Sequence, residues 1–142
     1  VSFAKLKKIT GNFAFSYAFG GRPITSIPTI DEIFPSLEEI TGERAFQSAF
    51  RPDADSVITF SKIKKITGGT TTTKATITLT SSVKNTIWNF PSATEFTGYV
   101  WNISTSYPGE IHFAAKNQAA IEACEGYSYK WGFQGATIYF DL

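Results

Sequence analysis

The chain has 142 residues, 42% of them apolar, 15% aromatic and 18% charged, a composition that excludes disorder and supplies a core for one domain. Its 13 basic and 12 acidic side chains leave a net charge of +1, too balanced for a dedicated nucleic-acid binder, and no apolar run approaches the length of a membrane span. One cysteine, Cys124, excludes an internal disulfide, and one histidine, His112, argues against a His-rich zinc site.

In chain order, the first feature is a nine-residue template, FAKLKKITG at residues 3–11. It returns as FPSLEEITG at 34–42, FSKIKKITG at 60–68 and FPSATEFTG at 90–98, with starts 31, 26 and 30 residues apart. Phe, Thr and Gly hold their places throughout, and the fourth and seventh positions are apolar. A unit of this length cannot bury its apolar side alone, so stacked copies are expected to share a core. Phe3, Phe34, Phe60 and Phe90 then form one interior column. Leu6, Leu37, Ile63 and Ala93 form a second, and Ile9, Ile40, Ile66 and Phe96 a third. Gly11, Gly42, Gly68 and Gly98 mark a turn, where positive φ is expected. The sixth position alternates in sign, Lys8, Glu39, Lys65, Glu95, and the fifth reads Lys7, Glu38, Lys64, Thr94. With neighbouring strands about 4.8 Å apart, opposite charges fall side by side and a slip by one copy sets Lys against Lys.

Between the templates the sequence changes character. After the first two glycines, Ala14-Phe15 and Ala45-Phe46 each recur as Ala-Phe four residues on, a spacing that predicts a short helical turn. The third copy carries a Thr-rich stretch over 69–80 and the fourth an aromatic one from Tyr99, both read as extended. Short alternating segments precede the templates at 58–60 and 88–90, and recur without a template at 111–113 and 138–140. Pro28-Thr29-Ile30 joins this set if residues 31–34 are an insertion. Their alternation predicts strands with one buried face. From Lys116 to Gly126 the pattern reads as a two-turn helix, with Asn117 as N-cap and Ile121 and Cys124 on its buried side. The expected architecture is a β-rich solenoid, irregular and leucine-rich-repeat-like, of short strands with helical or extended turns over 1–113. A helical C-terminal cap with a final strand follows over 114–142.

The run from Asp55 to Gly68, together with Glu43-Arg-Ala-Phe46, resembles the BspA-like class of leucine-rich repeats, and 110–113 and 135–140 resemble the closing strands of such arrays. The resemblance implies display and binding, as in surface modules of host-associated bacteria and phage structural proteins. It also implies an extracellular, cell-surface or virion location. With no initiator Met and patterned sequence from the first residues, the chain reads as the C-terminal part of a larger protein of that kind.

Several residues invite chemistry. Glu110 and His112 share a strand face, but one imidazole and one carboxylate complete neither a metal site nor an acid–base machine, so a surface pair is the plainer reading. Cys124 has no adjacent base in sequence and reads as a packed helix residue. Thr76-Ile-Thr78-Leu-Thr80 is too short a Thr array for ice binding, and Asn102-Ile-Ser104 is a chance-frequency match to a glycosylation acceptor. No cofactor, metal site or catalytic set is expected, and the chain is not expected to be an enzyme. The better candidates are the strand positions between the core residues. Thr29, Thr59, Asn89, His112 and Tyr139 would line one outward column, and Ile27, Val57, Ile87, Glu110 and Thr137 a second, partly apolar one. Trp88, Trp101 and Trp131 are read as core rather than sugar platforms. The expected function is recognition or adhesion toward a protein or glycan through this strand face. The alternative is a structural stalk or assembly domain whose strand face neighbouring chains cover.

Overall fold

A computed structural model describes residues 2–18, 30–50, 56–79, 86–102, 109–127 and 136–142. In chain order the elements are β1 (Lys8–Ile9), α1 (Ile30–Ile33), β2 (Glu39–Thr41), β3 (Phe46–Phe50), β4 (Ser56–Thr59), β5 (Lys65–Thr67) and β6 (Ile77–Leu79). Then come β7 (Thr86–Phe90), β8 (Glu95–Thr97), β9 (Trp101–Asn102), β10 (Glu110–Phe113), α2 (Gln118–Glu122) and β11 (Thr137–Phe140). Thr72–Lys74 and Ala115–Asn117 are 3₁₀ turns.

The described residues form a mixed α/β domain of three small parallel sheets with few and short helices, not the expected leucine-rich-repeat-like solenoid with helical turns and a helical cap. The sheets are ordered β1-β2-β5-β8, β11-β10-β7-β4 and β3-β6-β9. The Ala-Phe block expected as a helical turn is strand β3, and the strands pair into three separate parallel sheets; the C-terminal segment carries the five-residue helix α2 and the strand β11 at the edge of one of them.

The physical reason lies in where the backbone hydrogen bonds go. The Phe46 N–H donates to Thr76 O at 2.7 Å and the Arg44 N–H to Ala75 O at 3.1 Å, about thirty residues away rather than four. The first block follows the same rule: Phe13, Phe15 and Tyr17 N–H donate to Glu43, Ala45 and Gln47 carbonyls at 2.8–3.0 Å. Phe13, Tyr17, Arg44 and Ser48 have φ of 49–58°, which breaks a right-handed helix at every attempt. A four-residue recurrence therefore arises here without a helix.

The template columns do come together. Lys8, Glu39, Lys65 and Glu95 stand opposite one another in register, as do Ile9, Ile40, Ile66 and Phe96. Ile40, Ile66 and Phe96 are fully buried, with Ile9 nearly so. Phe60 and Phe90 stack at 5.3 Å between centroids, Phe90 and Phe113 at 6.1 Å, and Phe113 and Phe140 at 5.9 Å. The sheets share this core: Phe96 from β8, Trp101 from β9 and Phe90 from β7 meet edge to face within 6.0 Å of each other.

The charge ladder forms as well. Lys8 pairs with Glu39 at 3.1 Å, Lys64 with Glu38 at 2.9 Å and Lys65 with Glu95 at 3.6 Å. The Lys64 hydrogen bond holds the Glu38 carboxyl below the usual carboxylate range.

The template glycines correct a detail. Gly98 has positive φ, 71°, but Gly68 and Gly11 do not. Gly68 is required by close approach instead: a Cβ there would lie 2.1 Å from Tyr99 O. At Gly11 the nearest atom would be 3.8 Å away. Two further expectations shift. Ile30 lies on α1, not on a strand, and Asp31 accepts hydrogen bonds from the N–H and hydroxyl of Ser61. Asn117 makes no side-chain cap to α2, because a 3₁₀ turn leads into the helix; its φ and ψ of −99° and 4° lie outside the extended region of a capping residue.

Candidate binding face

The β11-β10-β7-β4 sheet carries the predicted columns. Its strands alternate strictly: in β7, Thr86, Trp88 and Phe90 are buried while Ile87 and Asn89 are half-buried, and in β10 Ile111 and Phe113 are buried between Glu110 and His112. The inward residues are large and apolar, so a slip by one residue would turn Trp88 out to solvent. This sets the outward register. Thr59 pairs with Asn89, Asn89 with His112 and His112 with Tyr139, in one row across four strands. Val57, Ile87, Glu110 and Thr137 form the neighbouring row on the same face. Thr29 and Ile27 lie outside the described residues.

Within the row, the Asn89 side-chain amide donates to Thr59 Oγ1 at 3.4 Å. His112 and Tyr139 stack nearly parallel, 4.6 Å between ring centroids. Both imidazole nitrogens face carboxylates: Nε2 lies 2.7 Å from Glu110 Oε2, and Nδ1 lies 2.7 Å from Asp141 Oδ1. Burial works against the charged ring, but hydrogen bonds to Glu110 and Asp141, and their charges, outweigh it and raise the His112 pKa. A doubly protonated ring donates to both carboxylates, whereas a neutral one turns a lone pair toward one of them. When the ring is protonated, its stack on Tyr139 sets the charge against an aromatic face.

The two carboxylates occupy opposite sides of the ring, so they do not converge on a point that a cation could share with the imidazole. Such an arrangement positions groups rather than ligating metal. It joins β10 to the last residues of the chain, where Leu142 N–H donates to Phe113 O and Ala115 N–H to Leu142 O, both at 3.1 Å.

At its other end the face is apolar, with Val57 62% exposed, and Tyr139 stands 39% exposed at the β11 edge. Trp88 and Trp101 are fully buried, which gives them to packing; Trp131 lies outside the described residues. Cys124 is half-buried just beyond α2, its thiol directed to Ala120 O at 3.3 Å.

Sequence reasoning missed Asp141. It lies outside the alternating segment, and only the pairing of residues 138–140 with 111–113 brings it beside His112. That pairing was the signal, had it been extended by one residue. No helix among the described residues is long and apolar enough to cross a membrane. Comparison of the chain with family models, with curated proteins and with solved structures finds no match.

Proposed function

We propose that this chain is a non-catalytic recognition or adhesion module that binds a protein or glycan through the outward face of the β11-β10-β7-β4 sheet. The observation that carries the reading is the in-register row Thr59, Asn89, His112 and Tyr139, flanked by the exposed Val57. Amide, hydroxyl, imidazole and phenol groups at strand spacing offer donors and acceptors beside apolar and aromatic surface, the mixture that partner surfaces use. The tight His112 cluster holds Tyr139 in place before a partner arrives, which lowers the ordering cost of binding. The likeness of residues 55–68 to BspA-like repeats of surface and phage structural proteins supports display on a cell or virion.

The test is a screen of the chain against glycans and surface proteins, followed by Asn89→Ala/His112→Gln/Tyr139→Ser. Binding lost by a variant that still unfolds in one cooperative transition supports the face. Binding retained by the folded triple variant overturns it.

A second reading rests on Val57, whose 62% exposure suits burial against a neighbouring chain in an assembly. Light scattering separates the two. An obligate oligomer dispersed by Val57→Glu would make the face an assembly surface.

A further inference from the structure

We propose that Glu110, His112 and Asp141 form a proton-controlled latch that fastens residues 139–142 to β10, closed while the imidazole carries two protons and opened at Asp141 when it loses one. The geometry leaves the ring no neutral form that suits both neighbours. Nε2 lies 2.7 Å from Glu110 Oε2 and Nδ1 lies 2.7 Å from Asp141 Oδ1, and an ionised carboxylate only accepts. An imidazolium donates to both. A neutral ring keeps one N–H and sets the lone pair of its other nitrogen against a carboxylate lone pair, so one contact has to separate.

Which contact separates follows from the elements that hold the two carboxylates. Glu110 and His112 stand two residues apart on one face of β10, which pairs with β7 and buries Ile111 and Phe113 fully. Their contact is therefore kept without moving any backbone. Asp141 reaches the ring from another segment, one residue beyond β11. Beside it the Leu142 N–H donates to Phe113 O and the Ala115 N–H to Leu142 O, and these two bonds are the backbone part of the latch. Tyr139, two residues before Asp141, stacks on the same imidazole, so opening takes the last member of the outward row off the ring. Among the described residues, the titratable groups that face His112 are Glu110 on its own strand and Tyr139 and Asp141 from the β11 side. On the β7 side stands Asn89, which does not titrate. Burial disfavours the imidazolium, but hydrogen bonds to Glu110 and Asp141, and their charges, outweigh it, so the closed latch holds its proton to a higher pH than a free histidine does. Closure is complete below the ordinary histidine value of about 6.5 and is lost as pH rises through the closed-state value.

The experiment is NMR on the intact chain across the imidazole range, from about pH 5.5 to about pH 8.5. The neutral His112 ring is expected as the Nε2–H tautomer, bonded to Glu110, as read from its two nitrogen shifts. Over the same range the Leu142 and Ala115 amides should lose about tenfold of their hydrogen-exchange protection, the effect of one lost charge-assisted hydrogen bond. In Asp141→Asn the new amide accepts from Nδ1–H and donates to a bare Nδ1 equally well, so that protection should no longer depend on pH. An Nδ1–H tautomer, protection that does not change with pH, or an equal loss in Asp141→Asn would each overturn the latch. Every readout is taken on the chain without a partner, so the latch stands or falls separately from what the face binds.

Discussion

Two of the sheets are built alike and presented differently. Both β1-β2-β5-β8 and β11-β10-β7-β4 align parallel strands in register, with large apolar residues facing one core. The first turns a ladder of alternating charge outward, Lys8, Glu39, Lys65, Glu95. The second turns out a row of neutral polar and aromatic groups that ends in the clamped His112. The difference separates two ways of fixing register. Strands of two or three residues bury little each, so opposite charges on their outer side penalise a slip by a whole copy. Strands of four or five residues with Trp88, Phe90 and Phe113 inward are held by burial, which leaves their outer positions free of any part in fixing register.

The comparison breaks most severely in the shared core. Phe90→Ala should cost about 3–5 kcal/mol in urea denaturation, because Phe90 is fully buried and touches rings from all three sheets. Phe3→Ala, at a half-open position of the same column, should cost far less. Gly68→Ala should come next, at about 3 kcal/mol, since its Cβ would meet Tyr99 backbone at 2.1 Å. Gly11→Ala, at the same template position but with only an ordinary contact to Ala14 Cβ at 3.8 Å, should stay within about 0.5 kcal/mol. Equal losses at the two glycines would mean that turn geometry, and not close approach, selects this residue.

The His112 clamp sharpens the comparison through pH. Its pKa is raised in the folded chain, so the stabilisation is complete below the unfolded histidine value of about 6.5 and is lost as pH rises through the folded value. Thermal unfolding should therefore fall from near pH 6 upward, with a slope that His112→Gln removes. An unchanged slope in that variant would place the titration elsewhere.

The smallest effect belongs to the ladder. Glu39→Lys should cost up to about 1 kcal/mol, because it sets Lys beside Lys8 and Lys65. Adding Lys8→Glu should return about half of that loss. Identical stability in the single and double variants would show that exposed charge does not contribute to register here.

Much of this is legible in the sequence. The four templates predicted which residues stand side by side, and the alternating segments predicted which side chains of β4, β7, β10 and β11 face outward. Both follow from periodicity, which a parallel in-register sheet converts directly into columns. The Ala-Phe block was misread because a four-residue recurrence serves a helix turn and this looped strand equally well; Arg44 and Ser48 in the left-handed region decide against the helix. Asp141 escaped because nothing beside it in sequence marks it as a partner of His112.

The sequence by itself determined the repeat, the apolar columns, the charge alternation and the polar row, since each is a relation between residues at a regular spacing. Only the tertiary structure decided that the Ala-Phe segment pairs as a strand, that α1 interrupts one unit, and that Asp141 closes the clamp on His112. Those outcomes depend on which distant carbonyl satisfies each backbone N–H, and that choice is made by packing against neighbours about thirty residues away, not by local propensity.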